Sequence, residues 1–276
     1  SPSLVFKIYG YTYDRSYHGN GGMSRMEQFH KRLWIFFSIW FTIGLILVGF
    51  SILPPWLEWA NAVFLFASGL YAALYFWHVL PKGRLVIPFI FFGSIIIESI
   101  GVHTGWPFGT YRYESDFGVQ LLGVPITIGA AWLSVMGASL AFSRLFSFRY
   151  STLILVPLFA VWLDLAIDPV AANVKSYWLW QDGGWYYDIP TQNFFGWYGT
   201  ALVFSFFISR YQVKATDASL EQNNQYLFLM LHTLFGVTAG VSSLYGVTLI
   251  SLSAFIIYFI VKRGVIVERS KQKQIS

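Results

Sequence analysis

The sequence contains no cysteine. Disulfides, thiolate catalysis, Cys-ligated zinc and iron–sulfur clusters are therefore excluded. Charge is scarce too, with only 11% of residues Asp, Glu, Lys or Arg. Apolar surface takes its place: 56% of the 276 residues are hydrophobic and 20% aromatic. Such a composition belongs to polytopic membrane proteins, and the chain reads as a single all-α membrane domain. The net charge of +5 calls for no nucleic-acid partner. Its basic residues gather at helix ends and in the tail, where they favour an anionic bilayer surface. The segment up to His30 lacks a compact apolar run before a small-residue cleavage site, so no signal peptide is expected.

Apolar runs of about 20 residues, enough to span a hydrocarbon core, fall at 33–53, 57–79, 85–103, 120–142, 152–173, 194–211, 226–242 and 245–262. This predicts about eight transmembrane helices. Seven are possible if "GVTAGVSSLYGVTLI" is one kinked segment and not a hairpin. Cations mark alternate connections: Lys31 and Arg32, Lys82 and Arg84, Arg144 and Arg149, Arg210 and Lys214, Lys262 and Arg263. The intervening loops hold only Arg112 and Lys175. Because Lys and Arg collect on the cytoplasmic side, both termini are expected there. The expected layout is a cytoplasmic segment 1–32, a transmembrane domain 33–262 and a basic cytoplasmic tail 263–276. A prokaryotic plasma membrane is the expected location.

Against this background three acids stand out. In "VWLDLAIDPVAANVKSYWLW", Asp164 and Asp168 lie four residues apart, one helical turn, and so share a face. Glu98, in "IIIESIGVH", lies near the outer end of the third run. An ionised carboxylate in hydrocarbon costs several kcal/mol, so these residues face the protein interior or water, and a neutral carboxyl there can donate a proton. Two acids on one face repel if both ionise, which separates an acid from a base. Pro169 removes a helical donor beside Asp168 and predicts a kink or unwinding there. The alternatives are a purely structural pair, or half of a magnesium–diphosphate site, for which the D-x-x-x-D pattern occurs once only.

Two aromatic-rich outer loops close over the same end. The first, "ESIGVHTGWPFGTYRYESDFG", carries Trp106, Phe108, Tyr111, Tyr113 and Phe117 around Arg112, Glu114 and Asp116. Alternating aromatic and charged residues suit a lid with one wet and one apolar side. The second, "WLWQDGGWYYDIPTQNFFGWYG", carries Trp178, Trp180, Trp185 and Trp197. These rings either form an interfacial belt or turn inward, where π faces stabilise a cation in a dry site. Asn193 stands where an N-cap would open the sixth helix. Trp132, on the outer half of the fourth, is a candidate pocket wall. None of the five histidines pairs with another at metal-ligand spacing, and no lysine falls inside a span. A histidine-held iron and a retinal Schiff base are both disfavoured.

The succession "ESIGVHTGWPFGTYRY", "LLGVPITIGAAW", "WLDLAIDPVAANVKSYWLW" and "GGWYYDIPTQNFFGW" resembles the carotenoid biosynthesis membrane family that includes the CruF-type carotenoid hydratases. The likeness runs from Glu98 to Trp197. It implies water addition across the terminal C=C of an acyclic (ψ) carotenoid end, giving a tertiary alcohol without a redox cofactor; no cofactor and no metal are expected. That chemistry needs a general acid, a dry pocket tolerating a tertiary cation, and one positioned water. Asp164 is the expected acid, with Glu98 or Asp168 handling the water. Trp106, Phe108, Tyr111, Arg112, Tyr113, Trp132, Trp178, Asn193 and Trp197 are the expected substrate contacts. The substrate is a carotenoid dissolved in the lipid bilayer, and other carotenoid-pathway enzymes are possible partners. Two rival functions remain open: a proton-coupled transporter, which predicts ionisable residues continuing across the membrane, and a carotenoid-binding scaffold.

Overall fold

In a computed structural model the described residues are 25–114, 118–146, 150–211 and 218–275, with side chains described through residue 264. The Gly-rich N-terminal segment, Asp116, Phe117, Arg149, Lys214 and the side chains of the basic tail lie outside them.

Eight α-helices form among the described residues: α1 Arg25–Gly49, α2 Trp59–Val79, α3 Gly83–Thr104, α4 Thr127–Ser143, α5 Ser151–Asn173, α6 Thr191–Ser209, α7 Ala218–Val241 and α8 Tyr245–Ile275. A 3₁₀ turn, Pro55–Leu57, leads into α2. Five segments are long and apolar enough to cross a membrane: Arg25–Gly49, Pro55–Val79, Gly83–Thr104, Ser151–Asn173 and Tyr245–Gly264. Of these, α1 and α8 expose rows of large apolar side chains, among them Ile39, Ile43, Ile46, Ile256 and Phe259. A soluble domain does not present such surface to water.

Of the helices outside that group, α4 is the most deeply buried. In α4, which has 17 residues, every residue but Ala131 is buried. It packs against α2, α3, α5 and α7 and forms the centre of the bundle. Small residues bring it close to α2. A Cβ on Gly69 would lie 2.6 Å from the Ala130 carbonyl oxygen, and one on Gly137 would lie 2.7 Å from Ala72. Rings fill the half of the core away from the loops, where Phe142 stacks on Phe228 at 4.3 Å. Stacked pairs of this kind contribute about 0.5–1.5 kcal/mol beyond burial.

Three local expectations are corrected, and one left open is decided. The fourth apolar run does not begin its helix at 120. Strands β2 (Gln120–Leu121) and β3 (Val124–Pro125) form a hairpin first, its turn made by Leu122 and Gly123 at φ 55° and 78°. The seventh helix starts two turns before its apolar run, because Leu220, Asn224 and Gln225 are buried and Glu221 pairs with Arg144 at 2.9 Å. Of the two alternatives for the last apolar stretch, the tight hairpin between α7 and α8 is the one formed. Finally, α5 continues through Pro169 without unwinding. The Leu165 carbonyl, which a residue other than proline would have bonded from position 169, instead accepts the Tyr186 hydroxyl at 2.7 Å.

The two aromatic loops are joined to each other. Strand β1 (Tyr111–Tyr113) pairs antiparallel with β4 (Trp178–Trp180), placing Tyr111 opposite Trp180 and Tyr113 opposite Trp178.

Candidate active site

Side chains alternate across a strand, so β1 turns Tyr111 and Tyr113 to one face and Arg112 to the other. Both tyrosines reach Glu98 on α3. Tyr111 donates a hydrogen bond to Glu98 Oε2, and Tyr113 donates to the same oxygen at 3.0 Å. Trp132 of α4 donates its indole N–H to Oε1 at 3.0 Å. Gly101, one turn beyond Glu98, makes this approach possible. A Cβ there would lie 2.8 Å from Phe108 and 3.1 Å from the Tyr111 hydroxyl. Burial and the nearby Glu98 carboxyl push both phenols well above the usual tyrosine value, so both remain hydroxyls.

The same alternation in β4 turns Trp178 and Trp180 toward Asp168. Their indole N–H groups both donate to Oδ1, at 2.7 and 3.3 Å. Asn193 of α6 donates to Asp168 Oδ2 at 2.6 Å and to Asp164 Oδ2 at 2.9 Å. One amide nitrogen thus spans the two aspartates, confirming that they share a face. Asp164 Oδ1 is buried without a hydrogen-bond partner among the described residues. Asn193 is not the helix cap. Pro190 holds that position with an extended backbone, and α6 begins at Thr191.

Glu98 and Asp168 line one cavity of about 130 Å³ at this end of the bundle. Phe108, Tyr111, Tyr113, Trp132, Trp178, Asn193 and Trp197 also line it, with Trp132 and Trp197 stacked at 4.4 Å. Three expected residues stand elsewhere. Asp164 is fully buried behind Asn193 and is not among the lining residues. Trp106 borders a separate groove between α3 and α6. Arg112 points outward and pairs with Glu114 at 3.4 Å, both side chains exposed. Among the described residues, no group of three His, Asp or Glu is spaced to hold a metal ion.

Trp180 was missed as an Asp168 partner. The signal was present in "WLW", whose period of two puts both indoles on one face once the segment is a strand. Asn61, Lys175 and Tyr177 also line the cavity and were not expected. Asn61 Nδ2 donates to the Tyr177 hydroxyl and to Glu58 Oε2, both at 2.7 Å. Half-burial pulls the Lys175 ammonium below the usual lysine value, with Glu58 acting in the opposite direction. These residues come together only in the fold.

The site so built is a pair of carboxyls held by aromatic donors in an apolar pocket of a helical bundle. The chain belongs to the carotenoid biosynthesis protein family, whose model matches residues 60–261. It is similar to the bisanhydrobacterioruberin hydratase of Haloarcula japonica, with 36% identity over 107 residues, covering 37% of this chain and 36% of that protein. The match therefore spans little more than a third of the relative's length. No solved structure matches the chain.

Proposed function

We propose that this protein is a membrane-embedded hydratase that adds water to the terminal C=C of an acyclic carotenoid end. The observation that carries this reading is the single apolar, aromatic-walled cavity onto which Glu98 and Asp168 both open. Family membership and the similarity to a hydratase support the substrate class and the reaction.

The donor inventory supports the following division of roles. Every partner of Asp168 is an N–H group, which donates only, so this carboxyl acts as an anion. Two of the three partners of Glu98 are tyrosine hydroxyls, which accept as well as donate, so Glu98 can hold a proton without losing its contacts. Glu98 protonates the less substituted alkene carbon, leaving a tertiary cation. The ring faces of Trp132 and Trp197 and the Asp168 carboxylate stabilise it. Water attacks the cation and gives its proton to Asp168. The cycle closes when that proton returns across the cavity to Glu98, and the alkene has gained one H and one OH. Asp164 replaces no group in this scheme. It acts as a positioning residue by fixing the Asn193 amide that holds Asp168.

On this reading all eight helices cross the membrane, both termini are cytoplasmic and the site opens toward the outer leaflet of a prokaryotic plasma membrane. No redox cofactor is required. The transport reading finds no buried carboxyl beyond these three among the described residues, where the other buried ionisable side chains are His30, His232 and the tyrosines Tyr71, Tyr75, Tyr111, Tyr186 and Tyr258. The test is incubation of membranes containing the protein with lycopene in deuterium oxide enriched in oxygen-18. A tertiary alcohol carrying one carbon-bound deuterium and one labelled oxygen supports the scheme. Recovery of unlabelled lycopene from several such trials, with other acyclic carotenoids equally unchanged, rejects it.

A further inference from the structure

The cavity is too small for the substrate class. About 130 Å³ holds the branched end of an isoprenoid, while a carotenoid is many times larger. The rest of the polyene must leave through an opening that joins the cavity. Among the described residues, three hollows near this end of the bundle offer themselves. The groove between α3 and α6 is the roomiest, at about 800 Å³, but shares no lining residue with the cavity. Phe108 is packed between them, with Gly196 recessed to admit it: a Cβ there would lie 2.6 Å from the ring. A second hollow, beside β2 and β3, meets the cavity at Asn61, Leu65 and Tyr177, but carries Glu58 and Thr127, polar groups that the third hollow lacks.

The third hollow lies between α1, α2 and α7. It shares Val48, Asn61, Phe64 and Leu234 with the cavity and is otherwise bordered by apolar groups. Its frame is fixed on two sides. The Trp40 indole N–H donates to the Ala60 carbonyl at 3.2 Å, tying α1 to α2. Gly49 lies against Val237, where a Cβ would approach to 3.2 Å, bringing α1 close to α7. Gly44 lies on its border, and a Cβ there would meet nothing within 4 Å. Ile43, beside it, is half exposed on the lipid-facing surface.

We infer that the polyene of the carotenoid being hydrated lies in this slot, passing from the cavity over Val48 and Phe64 and out to the bilayer past Gly44. The inference rests on the hydratase reading for its substrate class, and continuity with the cavity selects the route. It makes α1 a binding element, although α1 carries none of the acids or aromatic loop residues of the site.

The experiment places the photoreactive residue p-benzoylphenylalanine at position 44, and in a parallel protein at Val203 in the α3–α6 groove. Membranes from a lycopene-producing host are irradiated and the proteins weighed. A carotenoid adduct at 44 and none at 203 is expected. Pigment adducts at 203 alone, adducts only with phospholipid at 44, or no adduct at either site overturn the slot. Gly44→Phe supplies an independent readout. It should fold normally, since it enters open space, and lower lycopene hydration at least tenfold; unchanged hydration contradicts the route. A wild type that hydrates no acyclic carotenoid defeats the hydratase reading instead, and the cross-link then judges the slot alone.

Discussion

Tyr113 and Trp178 face each other across the two-stranded sheet, and each serves a different carboxyl. Tyr113 donates to Glu98 at 3.0 Å and Trp178 to Asp168 at 2.7 Å. The sheet therefore ties together the donors of the two acids. Trp178→Phe removes one hydrogen bond to a carboxylate, of a kind that contributes about 1.5–3 kcal/mol, and Tyr113→Phe removes one to a neutral carboxyl, of a kind that contributes about 0.5–1.5 kcal/mol. Each should lower the melting temperature in detergent and reduce hydration. Unchanged stability in both variants would contradict the assigned bonding.

Asn193 spans both aspartates from one nitrogen. Asn193→Leu leaves two buried carboxyls without that donor, and a buried acceptor that loses its hydrogen-bond partner costs about 1–3 kcal/mol. Asp164→Asn in the same protein removes one of the two carboxyls and should recover part of the loss. If thermal unfolding shows the double variant no more stable than Asn193→Leu, the bridge is not what holds the pair.

Gly196 admits the Phe108 ring at the boundary between cavity and groove. Gly196→Ala forces a contact shorter than real Cβ atoms show and also meets the Pro107 carbonyl at 2.8 Å. Displacing Phe108 enlarges the cavity and admits water, so hydration should fall severalfold while membrane insertion is retained. Gly199→Ala, where nothing lies within 4 Å, should be silent. Equal activity losses in the two variants would remove the steric argument.

Asp182 is exposed and accepts the Thr110 backbone N–H at 2.8 Å beside the sheet. Hydrogen bonding from Thr110 holds its carboxyl below the usual aspartate value. Its folded value is the lower one, so its contribution is present above the ordinary carboxylate range and lost as pH falls through the folded value. Amide exchange at Thr110 should be slow at neutral pH and lose protection only in strong acid, whereas Asp182→Ala should lose it throughout. Matching protection in wild type and variant at neutral pH would show that the contact does not hold the loop.

Much of this arrangement was legible in the sequence because the bilayer makes polar residues conspicuous. Glu98, Asp164 and Asp168 stood out by their cost in hydrocarbon, and the i, i+4 spacing gave the shared face of the aspartates. The shared cavity of the first loop's tyrosines and the second loop's Trp178 was likewise anticipated from aromatic density. What could not be read was pairing. Register between β1 and β4 is a long-range contact, and it alone directs Trp180 inward and Arg112 outward. Hydropathy also misplaced the start of α4 and of α7. A run of apolar residues does not distinguish a hairpin from a helix, and a buried polar turn looks like a loop. Asp164 was the expected acid, but depth behind Asn193 is a property of packing, which no spacing rule reports.

The most direct measurement compares pigment masses in a lycopene-producing host expressing the wild type, Glu98→Gln or Asp168→Asn. The account predicts a gain of water on the carotenoid with the wild type. It predicts losses of roughly 10²–10⁴-fold in each variant, the range for removing a general acid or base, with protein levels maintained. Full hydration by either variant would contradict the assignment of the two cavity-facing carboxyls to the chemistry.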